Sequence, residues 1–576
     1  MGVALLLGLQ YWWYCGVDIY ETLPDAIQEV DVIIAGGGTA GCVVAGRLAE
    51  ADPGLSILVI EGGPNNLDVP TIVHPVLFLS ALIQTSNTTI FYQGVKESQL
   101  NDRELIVPSG GTLGGGSSIN LMMYSRAQRS DFNAWNVPGW STEDMIPYLR
   151  KLETYHGPGS KAVHGFDGPV NVSGGTYRAN RSESDWIQAA GKVGYPEIED
   201  LASLDANNGV QRALRYIGTD GTRQDVAYKY VHPKIKSGNY PNLHVVVNSQ
   251  VKRVIFDNKR ASGVEYRPNP KVHPDAASRT IRARKLVIVS SGALGTPSVL
   301  ERSGLGNPEI LKKAGVDVVV DLPGNETIDA LVGGRLDVGK LIQENAPILG
   351  WNAMDITCKI RPTDAEVAAL GPNFQAAWDK DYKNDPNKPL ALGSLINAFP
   401  GDPSLVPADQ YFAMSSGGKP NITTGFFSDA QGVDIKKHVW AYKKQREIFR
   451  RMETYRGELA MLHPPFSPNS SAALVHLNDK PPTNVTDIVY TPEDDKVIED
   501  YLRGHVETTW HSLGTCKMGP REEKGVVDSN LSVYGVEGLK IADLSIPPHN
   551  VAANTMNTAV AIAEKAADIF IKELGL

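Results

Sequence analysis

Two regions of this chain carry residues whose types and spacing can do chemistry. The first is Glu507-Thr508-Thr509-Trp510-His511-Ser512-Leu513-Gly514-Thr515-Cys516. One imidazole follows a bulky indole and runs into a turn of small residues. Histidine, with an unperturbed pKa of ~6.5, can take or give a proton near neutrality. The same residue can equally be a packed core histidine or a metal ligand, and the stretch alone leaves all three open. A metal role lacks partners. No H-E-x-x-H occurs, and Cys15, Cys42, Cys358 and Cys516 form no C-x-x-C pair, so neither a zinc site nor a disulfide framework is expected.

The second region binds rather than reacts. Gly36-Gly37-Gly38-Thr39-Ala40-Gly41 follows the apolar run Val30–Ala35 and precedes a helix-like Cys42–Glu50. A second strand-like run, Ser56–Ile60, ends in the carboxylate Glu61. Gly36 permits the tight turn, Gly38 lets backbone N–H groups approach a pyrophosphate, and Gly41 lets helix and sheet pack closely. The helix N-terminus favours negative charge, and Glu61 can accept from a ribose diol. The unit predicts dinucleotide binding and leaves NAD and FAD both open. A further glycine-rich loop, Pro108–Asn120, exposes successive backbone donors that can hold an anion or the polar edge of a ring.

These groups need a frame. At 576 residues the chain is expected to form two or more structural units. Net charge is −10, which disfavours a polyanion partner and excludes nucleic acid. The apolar start, MGVALLLGLQYWWYC, is too short to span a bilayer; a signal h-region, for which the basic flank and A-x-A site are missing, and a buried strand or helix are both open there. Eight N-x-[ST] sequons lean toward a secreted glycoprotein, with a cytoplasmic protein as the alternative; the chain does not end in S-K-L. Asn242–Val247 and Gln250–Phe256 read as strands paired across a short turn. Lys285–Ser290 reads as a strand, followed by a helix that starts at Pro297. Lys436–Met452 reads as a basic amphipathic helix with a solvated face.

Taken together, the motifs resemble the glucose-methanol-choline (GMC) flavoprotein oxidoreductases over about residues 28 to 570. GGGTAG with Glu61 is similar to their FAD fingerprint, Gly110–Asn120 with Tyr124 to their first signature, and Gly292–Gly306 to their second. Trp510–Cys516 and Ala542–Pro548 match as well. LGGGSSINLMMYSR, KIRPT and ETTWHSLGTC resemble the fungal alcohol oxidase branch. The resemblance implies an α/β fold: a Rossmann-type FAD-binding domain (28–165, 225–324 and 511–576) and an α+β substrate domain with a large antiparallel sheet (166–224 and 325–510). Residues 1–27 are an N-terminal extension.

It also implies site residues. Gly36, Gly38 and Gly41, with Thr39 and Ala40 between them, approach the pyrophosphate. Glu61 binds the adenosine ribose, and Val251 presents its backbone to the adenine. Gly115, Ser117 and Asn120 lie along the flavin side, Asp543 near the ribityl phosphate, and Thr555 near the flavin ring. His511 and Asn554 form the catalytic pair, with His549 the competing choice near the I-P-P turn. Trp510 walls the pocket, and Leu121, where short-chain alcohol oxidases tend to carry an aromatic, leaves room for an alcohol larger than methanol. The expected reaction oxidises a primary alcohol, with O2 as acceptor and hydrogen peroxide as product. A dehydrogenase with a quinone-type acceptor, an FAD-containing hydroxynitrile lyase and an inactive flavoprotein are the alternatives.

Two departures from the family pattern are expected to matter. After Leu322-Pro323-Gly324 the G-x-N-x-x-D-H segment is missing, and near Phe412–Gly418 the S-R-G strand region is absent. Such losses would expose sheet edges.

Overall fold

The structure, a computed structural model, describes residues 19–306, 342–396, 413–417, 426–476 and 483–576. The main sheet has eight strands: β1 (Ile19–Tyr20), β2 (Glu29–Ala35), β3 (Ile57–Ile60), β4 (Leu243–Val246), β5 (Ser249–Asp257), β6 (Arg260–Pro268), β7 (Arg279–Val289) and β8 (Leu539–Ile541). Their order is β1-β4-β3-β2-β7-β6-β5, with β8 paired to β7 as well. β1, β4, β3, β2, β7 and β8 run parallel to one another. β5 and β6 extend the sheet as an antiparallel hairpin. Parallel strands are covered on both faces and therefore read as unbroken apolar runs; every residue of β3, Ile-Leu-Val-Ile, is buried.

Three helices frame the site: α1 (Thr39–Ala51) after β2, α2 (Gly292–Arg302) after β7, and α3 (Met556–Leu574) at the C-terminus. α1 and α3 pack through alanines and valines that let the axes approach. An Arg47–Glu564 fork clamps them, with Nε to Oε2 at 2.9 Å and Nη2 to Oε1 at 2.7 Å. The second layer is a four-stranded antiparallel sheet among the described residues, in the order 413–417, 391–396, 354–360, 209–212. Its core gathers Trp186, Phe374, Trp378 and Trp440. The larger core, from Leu23 to Phe570, also takes in Val170, Val172 and Tyr216.

Several expectations need correction. Residues 242–247 and 250–256 do not pair with each other. β4 lies parallel to β3, and β5 turns back onto β6. Between them Asn248 takes a left-handed φ of 48°, which redirects the chain from the buried parallel sheet to the hairpin. The helix after β7 begins at Gly292, so Pro297 lies inside it. A strand does stand at Ala413–Gly417, paired to 392–396, because edge pairing uses backbone groups and tolerates a changed sequence. The basic helix spans Val433–Phe449, and its cations are not simply solvated. Lys436 pairs with Glu499 at 2.6 Å, Lys443 with Asp495, Lys444 with Glu366, and buried Arg446 with Glu458 at 2.6 Å. The segments 1–18 and 325–330 lie outside the described residues. Among the described residues no helix is long and apolar enough to cross a membrane, no metal-ligand cluster occurs, and Cys42, Cys358 and Cys516 are buried free thiols.

Candidate functional site

A cavity of about 3300 Å³ opens at the carboxyl ends of β2, β3 and β7, bounded by Gly36, Ile60 and Ser290. Its far wall is the antiparallel sheet, through Thr357, Leu392 and Ser394. Ligands in open α/β sheets bind in this crevice because helix N-termini and turn amides converge there.

The binding end is built from backbone contacts that exclude side chains. A Cβ on Gly36 would lie 2.4 Å from the Ser290 carbonyl oxygen, and one on Gly41 2.0 Å from that of Gly36. Gly41 is therefore a packing glycine and is not on the cavity wall. Gly38 differs. Its nearest neighbours would be 3.8 and 4.0 Å away, so a Cβ there would enter the cavity at the mouth of α1. The two glycine loops brace each other. Gly114 N–H donates to the Gly37 carbonyl at 2.8 Å, and Thr39 Oγ1 accepts from Ser117 N–H at 3.1 Å and donates to the Gly114 carbonyl at 3.2 Å. The first-turn amides of α1, at Thr39 and Ala40, have no intrahelical acceptor and face this cradle.

Glu61 sits opposite. Its Oε2 accepts from Gly37 N–H at 2.9 Å and its Oε1 from Gly63 N–H at 2.8 Å. The carboxylate keeps lone-pair capacity for a hydroxyl. Burial pushes its pKa up to about 7 against the pull of those amides. Val251 lines the same end from β5, where it pairs with Tyr266.

Asp543 links the second glycine motif to the C-terminal one. It accepts from Gly292 N–H at 2.9 Å, Thr296 Oγ1 at 2.6 Å and Ser545 N–H at 2.7 Å. Burial raises its pKa against these donors. Asn120 is held by buried Arg223, whose Nη1 donates to its carbonyl at 2.7 Å and its Oδ1 at 3.0 Å. Ser117 Oγ is spent internally, donating to the Gly114 carbonyl at 2.7 Å and accepting from Val226 N–H at 3.2 Å. Thr555 caps α3, and both it and Gly115 line the cavity.

The reactive end is assembled by a backbone zipper. Gly514, Cys516 and Met518 donate to the carbonyls of Leu544, Ser545 and Ile546 at 2.9, 2.8 and 2.7 Å. This holds the histidine stretch against the I-P-P turn. Inside α2, Pro297 brings no N–H to the Ala293 carbonyl, and Thr515 Oγ1 donates to it instead at 2.5 Å. Trp510 adopts φ 62°, strained for a bulky residue, with its N–H held by Thr508 Oγ1 at 3.0 Å.

His511 Nε2 then lies 3.4 Å from Asn554 Nδ2, and its Nδ1 lies 3.2 Å from Thr509 Oγ1. An amide NH₂ only donates, so the facing Nε2 must be bare and Nδ1 must carry the proton toward Thr509. The ring touches the cavity yet is deeply surrounded by protein, and this desolvation pushes its pKa down to about 4. It is a neutral imidazole with a free lone pair facing an amide donor. Ser125 Oγ accepts from Asn554 N–H at 2.7 Å and donates to its Oδ1 at 2.9 Å. Trp510 and Leu121 line the same cavity. His549 is exposed and off the cavity wall, where its carbonyl accepts from Trp135 Nε1 at 3.2 Å.

Ser125, Thr509, Arg223 and Thr296 are residues that sequence reasoning missed. Ser125, Arg223 and Thr296 act through hydrogen bonds to residues far away in the sequence, which leaves no spacing signal, and Thr509 acts through a contact with His511 two residues on. The polar Ser125 ending the apolar run Ile119–Tyr124 was the one visible hint.

A family model described as GMC oxidoreductase matches residues 30–344 with its N-terminal part and 413–563 with its C-terminal part. The alcohol oxidase of Candida boidinii is 38% identical over 638 aligned positions, covering 95% of this chain and 96% of that protein. The alignment is longer than the 576-residue chain, so that relative carries residues without counterparts here. The mitochondrial choline dehydrogenase of Mus musculus is 28% identical and covers 94% of this chain and 89% of its own. A solved FAD-dependent oxidoreductase of Chaetomium thermophilum superposes with TM-score 0.74 at 25% identity, covering 95% of this chain and all of that one.

Proposed function

The chain belongs to the GMC oxidoreductase family, FAD-dependent enzymes acting on CH–OH groups, and from that premise we propose that it oxidises a primary alcohol to an aldehyde with oxygen as the acceptor and hydrogen peroxide as product. One observation carries the reading. A bare imidazole nitrogen and an amide NH₂ lie 3.4 Å apart on the wall of a cavity whose other end is a dinucleotide cradle.

The residues fit FAD. Gly36, Gly38, Thr39, Ala40 and Glu61, with Val251, would hold its adenosine diphosphate end. Gly115, Ser117, Asn120, Asp543 and Thr555 would border the flavin end. Bound FAD supplies the hydride acceptor for the carbinol carbon and the route of both electrons to oxygen. An alcohol oxygen seated against the pair gives its proton to His511 Nε2. Asn554 Nδ2–H donates to that oxygen as negative charge develops there, an interaction strongest in the transition state. Trp510 excludes water from the proton transfer. We assign 28–165, 225–324 and 511–576 to the cofactor domain and 166–224 and 325–510 to the substrate domain. The 38% identity to an alcohol oxidase, against 28% to a choline dehydrogenase, favours oxygen as the acceptor.

The test is the visible spectrum of the purified protein, followed by primary alcohols from methanol to benzyl alcohol without oxygen. A yellow protein that bleaches, and bleaches best with alcohols larger than methanol because Leu121 leaves room, is expected. A colourless protein, or a yellow one that no alcohol bleaches, overturns the reading. Strict preference for methanol overturns the role of Leu121.

A further inference from the structure

We infer that Ser125 is a positioning residue that sets which face of the Asn554 carboxamide meets the substrate, an inference that rests on the catalytic pair proposed above. Its hydroxyl makes two bonds to one residue. It accepts from Asn554 N–H at 2.7 Å and gives its single proton to Asn554 Oδ1 at 2.9 Å. With Oδ1 engaged, Nδ2 is turned toward His511 Nε2 at 3.4 Å. If the carboxamide turned over, Oδ1 would face the bare Nε2, two acceptors would be opposed, and the pair would present no donor to the alcohol oxygen.

Ser125 is itself rigidly held, which a positioning residue requires. It is buried, and its neighbours on both sides enter one buried network. Tyr124 Oη donates to Glu153 Oε2 at 2.8 Å. Arg126 donates to Glu153 Oε1 at 2.7 Å and to the carbonyls of Leu149 at 2.9 Å and Val163 at 2.7 Å. His164 Nδ1 joins the same carboxylate at 2.9 Å. The serine therefore has little freedom to follow the carboxamide. Residues 552–554 are pinned from the same side, with Ala552 N–H donating to Asp131 Oδ2 at 2.8 Å.

The experiment compares Ser125→Ala and Ser125→Thr with the unaltered holoenzyme, in the original chain and in an Asn554→Ala background. Ser125→Ala should lower kcat and kcat/KM for alcohol together by about tenfold, part of the hundredfold or more that losing an oxyanion donor costs. Affinity for a tertiary alcohol, which cannot give up a hydride, should change by less than about twofold when followed by the flavin absorbance shift, because the lost interaction belongs to the transition state. Ser125→Thr, which keeps the hydroxyl, should restore kcat to within about threefold. In the Asn554→Ala background the serine substitution should cost less than about twofold, since its target is gone. An equal loss in both backgrounds, failure of threonine to rescue in a normally flavinated protein, or no loss in Ser125→Ala overturns the inference while leaving the pair intact. Near-normal alcohol oxidation by Asn554→Ala alone overturns the pair, and this inference with it.

Discussion

Thr515 and Pro297 form a pair that can be tested as one. Pro297 lies inside α2 and has no N–H for the Ala293 carbonyl four residues before it. Thr515 Oγ1 supplies the missing donor at 2.5 Å, and this bond ties the histidine stretch to the helix above the cavity. Thr515→Val keeps the shape and removes the donor. Ala293 is buried, so its carbonyl loses its partner at a cost of about 1–2 kcal/mol. The Pro297→Ala background brings back an N–H at the helical position, and there the same substitution should cost less than about 0.5 kcal/mol. Urea unfolding of the four proteins, read as midpoints at equal slope, gives the difference. Equal costs in the two backgrounds would refute the claim that Thr515 replaces the helix's own donor.

Gly115→Ala and Gly38→Ala should both give a protein that lacks yellow colour, for different reasons. At Gly115, φ is +57° and a Cβ would lie 2.7 Å from Gly38 Cα, so the two loops separate and stability falls. At Gly38, where φ is −76° and the nearest neighbour is 3.8 Å away, the methyl fits the protein and blocks only the cavity, so urea stability without flavin stays unchanged. Full flavin content in Gly38→Ala would contradict the cradle. For pH, burial pushes the His511 pKa down to about 4, so the neutral, base-competent form persists from neutrality down to that range and is lost below it. The acid limb of kcat/KM should therefore fall well below the ordinary imidazole value of ~6.5; a break at or above that value would refute the buried-base reading.

The proposed cradle for the pyrophosphate and ribose was legible because its chemistry is local, whereas the roles of Gly115, Ser117, Asn120, Val251, Asp543 and Thr555 entered only through the resemblance. The strand, the turn of Gly36 and Gly38, the helix and Glu61 follow one another within a few dozen residues, and the fold keeps them in that order. The proposed catalytic pair was legible only through motif resemblance. Residues 511 and 554 are joined by a zipper from 514–518 to 544–546 that no periodicity announces. Spacing read Gly41 as a packing glycine, in line with its contact to the Gly36 carbonyl, whereas the resemblance placed it at the pyrophosphate, and it stands off the cavity wall. Pro297 misled as a helix start. Proline marks helix starts when its missing N–H would be idle, but here a threonine over two hundred residues away compensates for it inside the helix. The strands at 243–246 and 249–257 misled because alternation marks strands without naming partners. Ser125 left almost no trace, since its role depends on a carboxamide 429 positions further on.

In the proposed reaction His511 takes the alcohol proton. The measurement is the rate of flavin bleaching on rapid mixing with a primary alcohol in the absence of oxygen, for the original protein and for His511→Ala at equal flavin content. A loss of about a hundredfold or more is expected, the range of a general base removed from a transition state. Bleaching by His511→Ala within about threefold of the original would contradict it.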